Sequence, residues 1–268
     1  MSSKITKHLV HRMHPTARGF SLVELMVALA ISFFIIAGML TIFENVHSTY
    51  STQTALANLE DNERLAMTLI TDVVSSAGYF PDPSTYTAID TLAASPHFTA
   101  AGSPAIAGGT TALGDTITVR YAPDTTGDLY NCFGGTNANA PYDEWENTFS
   151  IVSTGGISGA LQCTFWSKSG ANIPPGPIPL VQGLTNGTGG SPKGIQILYG
   201  VGTGKAAAPT CVDTYKSIAD MTAADWAQVC TLKVTLSFVN PVAPAGSLIK
   251  WVSFTRVIAV MNAAGAST

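Results

Sequence analysis

Leu25 to Phe43 is a run of 19 positions without a charged residue. At about 1.5 Å per residue a helix of that length crosses the hydrocarbon layer of a bilayer, so the run predicts a membrane helix near the start of the chain. One carboxylate, Glu24, stands at the front of this run, just after an Arg18-Gly19 junction. An ionised carboxylate in the apolar part of a membrane helix costs on the order of 2.5 to 3.5 kcal/mol on insertion scales. Something must offset that cost. A cut after Gly19 would create a positive α-amino group on Phe20, about one helical turn from Glu24. A plainer alternative is that Glu24 lies at the interface and snorkels, helped by the positive end of the helix dipole.

No proline occurs between Phe20 and Tyr79, and Leu56, Leu59, Ala66, Leu69, Ile70, Val73 and Ala77 continue a helical rhythm beyond the apolar run. Glu60, Asp61, Glu63 and Arg64 lie mostly off that stripe. The pattern predicts one helix with a membrane half and an amphipathic half. It should stop near 76–79, where Gly78 and Phe80-Pro81-Asp82-Pro83 supply stop signals.

Beyond residue 83 the period becomes two. Ile117, Val119 and Tyr121 alternate with Thr116, Thr118 and Arg120, while Leu232, Val234, Leu236 and Phe238 alternate with Thr231, Lys233, Thr235 and Ser237. Both read as half-buried antiparallel strands with the polar set facing water. Weaker strand candidates are 149–153, 161–166, 195–199 and 249–260, with 183–194 read as a glycine-rich loop. The fold class is therefore α+β: a long N-terminal helix packed on a C-terminal antiparallel β-rich domain. Its organisation is a basic leader at 1–19, a long helix at 20–79 with 20–43 in the membrane, and a globular domain at 80–268.

Met1 to Gly19 contains Lys4, Lys7, Arg12 and Arg18 and no acid, so its removal takes the formal net charge from -4 to -8. An acidic body with scattered basic residues disfavours nucleic acid as a partner. Cys132, Cys163, Cys211 and Cys230 form no C-x-x-C pair, and no histidine accompanies them, which disfavours a metal site. Downstream of an export-type segment, an even count suggests two disulfides in an oxidising compartment. Three connectivities are open; the local pairs Cys132 with Cys163 and Cys211 with Cys230 are favoured.

Catalytic patterns are weak. His47 and His97 are the histidines left once the leader is removed, Gly156-Ile157-Ser158-Gly159 falls short of G-x-S-x-G, and Gly202-Thr203-Gly204-Lys205-Ala206 lacks P-loop spacing. Asp124-Thr125-Thr126-Gly127-Asp128 resembles part of a calcium loop without its bidentate Glu. Asn186-Gly187-Thr188 matches a glycosylation sequon but reads as a turn. Trp145, Trp166, Trp226 and Trp251 read as core or strand-packing residues. The chain is thus expected to be no enzyme and to use no cofactor or metal.

Arg18-Gly19-Phe20-Ser21-Leu22-Val23-Glu24-Leu25, followed by the apolar run, resembles the class III signal of type IV prepilins and pseudopilins. The resemblance implies cleavage between Gly19 and Phe20 by prepilin peptidase, N-methylation of Phe20, and use of Glu24 to set register against the amine of a neighbouring subunit. Arg18 would keep the leader cytoplasmic. An ordinary signal peptide fits less well, because the A-x-A-like site Ala55-Leu56-Ala57 lies about a dozen residues past the run.

Within that class the segments 114–121, 161–163, 179–183, 197–200 and 254–255 resemble PilW-type minor pilins in order. This resemblance implies a minor pilin that takes part in type IV pilus assembly, priming or capping at the tip. The implied partners are other minor pilins, the major pilin, prepilin peptidase and the pilus assembly platform, with a tip adhesin as a further candidate. The implied location is the inner membrane, single-pass with the body in the periplasm, and then the pilus at the cell surface. The alternatives are a type II secretion pseudopilin and, further off, a membrane-anchored periplasmic binding protein or enzyme.

Overall fold

The computed structural model describes residues 19–100, 102, 104–170, 173–174, 176–202, 211–244 and 247–260. The leader bases Lys4, Lys7, Arg12 and Arg18 lie outside the described residues, as do Thr203 to Ala206 of the glycine-rich stretch. The chain divides into two compact units, Met1–Ser51 and Thr52–Thr268. Helix α1, Leu22–Ser75, runs through both without a break. Its 54 residues correspond to about 80 Å of helix.

In the first unit α1 is uncharged and mostly apolar on every side from Leu25 to Phe43 and polar beyond, at Glu44, Asn45, His47, Ser48 and Thr49, and all its residues from Leu22 to Ser51 are exposed. Polar side chains in this stretch are satisfied within the helix: the Ser32 hydroxyl donates to Ala28 O at 2.7 Å and the Thr41 hydroxyl to Ala37 O at 3.0 Å. That internal pairing lets them enter a membrane without an orphaned donor. Gly38, the one glycine in this stretch, stays helical.

In the second unit α1 is amphipathic. Leu59, Ala66, Met67, Ile70, Val73 and Val74 form one buried stripe, to which Ala77 adds after the helix ends. Leu56, read as part of that stripe, is 40% exposed, and Met67 and Val74 fill it instead. Gly78 ends the helical path with φ +74°, a conformation that costs glycine little. Its N–H then donates to Arg120 O at 2.9 Å, and Tyr79 O accepts from Ala122 N–H at 2.8 Å, which ties the end of α1 to a strand.

A short helix α2 (Ala88–Thr91) precedes nine strands: β1 (Ile106–Thr110), β2 (Asp115–Tyr121), β3 (Trp145–Gly155), β4 (Ser158–Ser167), β5 (Ile178–Thr185), β6 (Ile195–Val201), β7 (Thr214–Ser217), β8 (Val229–Val239) and β9 (Trp251–Ala259). They form one antiparallel sheet in the order β1-β2-β3-β4-β5-β8-β6-β7, with β9 paired to β8. The α1 stripe and the inward residues of these strands share one core, including Ile117, Val119, Phe149, Leu161, Tyr199, Leu232, Val234, Leu236 and Phe238. β5 extends through Thr185 into the stretch read as loop. Asn186 follows it; fully buried, its side-chain amide donates to Gly156 O and Ser158 O at 2.9 Å each, pinning the β3–β4 turn.

Arg120 departs most from the alternation. It was expected to face water, yet its side chain is fully buried. Nε donates to Pro104 O at 2.9 Å, Nη1 to Ala93 O at 2.8 Å and Nη2 to Ala100 O at 2.8 Å. The guanidinium lies 4.4 Å from the Phe98 ring centroid and 3.7 Å from Glu144 Oε1. Burial pushes the Arg120 pKa down and the Glu144 pKa up, while each opposes the other's shift by attraction. Glu146, also buried, accepts from Ser95 Oγ and lies 2.6 Å from His97 Nδ1. One arginine thereby fastens the connection between α2 and β1 to the sheet.

Candidate functional site: the N-terminal junction and the disulfides

Gly19 and Phe20 lie in non-helical chain immediately before α1. A β-carbon added at Gly19 would meet no atom within 4 Å. Phe20 is 86% exposed. Gly19 is exposed as well.

Ser21 and Glu24 close the start of the helix on each other. Ser21 N–H donates to Glu24 Oε2 at 3.0 Å, and Glu24 N–H donates to Ser21 Oγ at 3.2 Å. This is a capping box, which satisfies two of the donors that a helix N-terminus leaves unpaired. The carboxylate is held at the positive end of the helix dipole. Sequence reasoning gave Glu24 an amine partner and overlooked Ser21, although the S-x-x-E spacing of Ser21-Leu22-Val23-Glu24 was the available signal. Cleavage after Gly19 would leave this box intact, because the Ser21 N–H belongs to the Phe20-Ser21 peptide bond. Glu24 Oε1 remains outside the box, four residues along the chain from where the new amine would form.

The cysteines form two bonds, Cys132–Cys163 with Cα atoms 6.5 Å apart and Cys211–Cys230 with Cα atoms 5.9 Å apart. They close loops with sequence separations of 31 and 19 residues. On the chain-entropy account each stabilises the fold by about 3 to 4 kcal/mol. Cys132–Cys163 is buried and joins the long β2–β3 connection to β4; Cys132 N–H also donates to Asn147 Oδ1 at 2.9 Å. Cys211–Cys230 joins the segment before β7 to the start of β8.

Other motifs resolve into structure. Asp124 Oδ1 accepts from Thr126 N–H at 3.0 Å, and the Thr126 hydroxyl also donates to it, holding the Asp124 carboxyl below the usual range. Among the described residues no group of three or more His, Cys, Asp or Glu side chains is placed to hold a metal ion. Trp145 packs edge-on against Tyr121 and Phe165, and Trp226 edge-on against Tyr199.

Comparison with known proteins agrees at the N-terminus. Residues 15–40 match the prokaryotic N-terminal methylation motif. No curated protein matches the chain significantly. Among solved structures, a type IV-like pilin from Thermus thermophilus is similar at 14% identity and a TM-score of 0.39, over 76% of this chain and 97% of that one. The prepilin signal and the apolar start of α1 fit a single-pass inner-membrane anchor. The chain thus carries a prokaryotic N-terminal methylation motif at residues 15–40, followed by a long helix and an antiparallel sheet.

Proposed function

We propose that the chain is a PilW-type minor pilin, anchored in the inner membrane before assembly and then built into or near the tip of a type IV pilus. The observation that carries this reading is the methylation motif around the exposed Gly19–Phe20 junction, directly ahead of a capped helix with Glu24 in its first turn and an uncharged apolar run from Leu25 to Phe43. Prepilin peptidase would cut that junction, and the new amine of Phe20 would be methylated. Residues 20–43 would then exchange lipid for the packed helices of other pilins. In that apolar bundle Glu24 selects register, because a mismatched carboxylate would stay unpaired at high cost. The β-rich body would prime or cap assembly together with other minor pilins, the major pilin and the assembly platform. The role is structural, without a catalytic step.

The PilW-type assignment is supported by the segments that carry the resemblance: 114–121 forms β2 from Asp115 onward, and 161–163, 179–183, 197–200 and 254–255 lie on β4, β5, β6 and β9. A type II secretion pseudopilin would share the junction and helix, and the genes flanking this one would separate the two. For the role of Glu24, the test is Glu24→Ala. Cleavage and membrane insertion should persist while recovery of the variant in sheared pili falls; recovery at the parent level would contradict the assignment.

A further inference from the structure

Among the described residues three strands have a single neighbour in the sheet: β1, β7 and β9. Unpaired strand edges are templates for association, and folded proteins blunt them by shortness, bulges, proline or charge. β1 has five residues and β7 four. β9 has nine, pairs with β8 in unbroken register from Thr231↔Ala259 to Val239↔Trp251, and contains no proline. Of the three free edges it is the long, regular one.

The register identifies which groups face outward. Val260 N–H donates to Cys230 O, and Lys250 O accepts from Asn240 N–H. Residues alternate along an antiparallel strand, so the even-numbered residues of β9 bond to β8. Trp251, Ser253, Thr255, Val257 and Ala259 therefore direct their backbone N–H and C=O groups away from β8. On the core face, Val252 and Phe254 are half-buried and Arg256 is exposed, so apolar surface there is incompletely covered.

Charge indicates what would pair with this edge. No acid occurs from 226 to 260, whereas Lys233, Lys250 and Arg256 do. The four ion pairs among the described residues use none of these three cations. This basic hairpin stands in a chain whose formal net charge is -4 with the leader and -8 without it. We infer that β9 is a docking edge for an extended, acidic segment of another polypeptide, added as an antiparallel or parallel tenth strand. Its backbone would pair with the five outward residues. Apolar side chains would extend the cover over Val252 and Phe254, and a carboxylate would face Arg256.

The test uses the full chain in detergent micelles and measures amide hydrogen exchange with nine-residue probe peptides. One alternates Thr and Val with Glu in a central Val position; the other carries Lys there. The Glu peptide should slow exchange at Ser253, Thr255 and Val257 by at least about tenfold, equivalent to about 1.4 kcal/mol, and the Lys peptide should not. Arg256→Glu should reverse that preference. Val257→Pro removes an outward N–H without removing a bond to β8, and should abolish protection with an unchanged melting temperature. Four results would overturn the inference: protection by neither peptide, equal protection by both, protection of β9 that rises with protein concentration alone, or protection by phosphatidylglycerol vesicles in place of the peptide. The last two would assign the edge to a second copy of this chain or to a lipid surface contacted by exposed Leu248 and Ile249.

Discussion

The two halves of α1 share one backbone and differ in what holds them. From Leu22 to Ser51 the helix buries nothing and is dominated by the uncharged apolar run Leu25 to Phe43, whereas from Thr52 onward it is amphipathic and buries a single stripe in the body's own core. A helix apolar on all sides needs lipid or other helices around it, while an amphipathic one is stabilised by the sheet it covers. The comparison teaches that α1 serves two environments in series. Its second half belongs to the fold and its first half to the membrane or the assembly.

Substitutions in the body should therefore cost stability that substitutions in the first half do not. Arg120→Ala should have the largest effect: it leaves Glu144 buried without its cation and the carbonyls of Ala93, Ala100 and Pro104 without the guanidinium donors. A loss of about 3 to 5 kcal/mol in denaturant unfolding is expected. Retention of parent stability would show that the pair is not required. Ile70→Ala, at a fully buried position, should cost about 2 to 5 kcal/mol. Ile35→Ala, at a position 53% exposed, should leave unfolding of the body within about 0.5 kcal/mol. Equal losses at the two isoleucines would erase the distinction between the halves.

A smaller effect tests the body by pH. Asp225 accepts from both Lys216 Nζ, at 2.8 Å to each oxygen, and Thr222 N–H, also at 2.8 Å, which lowers its carboxyl from 3.8 to about 2. A depressed acid stabilises the fold above its unfolded value, and that stability is lost as pH falls through the folded value. Asp225→Asn should therefore melt below the parent at pH 6, and the gap should close as pH falls from about 4 toward 2. A gap independent of pH would rule out the carboxylate as its source.

Periodicity carried much of this architecture. The unbroken helical rhythm and the alternation at 116–121 and 231–238 place α1, β2 and β8 because each depends on neighbours close in sequence. β1 was illegible for the opposite reason. Ile106-Ala107-Gly108-Gly109-Thr110 has poor strand propensity, and it pairs because Gly108 lets the Tyr199 ring approach closely, a contact 91 positions away. β7 is too short for a pattern. Arg120 looked like an outward residue because its partners, Ala93, Ala100, Pro104 and Glu144, are brought to it only by the fold. At the N-terminus Gly19, Phe20 and Glu24 stood out through the cost of a charge beside an apolar run. The Ser21 cap follows from local S-x-x-E spacing alone.

The central claim is that Gly19–Phe20 is a processing junction and that the helix beginning there is built for assembly. The most direct measurement is the N-terminal residue and intact mass of the protein purified from membranes of a host with prepilin peptidase. The account predicts a chain beginning with N-methylated Phe20. A chain still beginning at Met1, or one beginning near Asn58, would contradict it and remove the basis for the role given to Glu24.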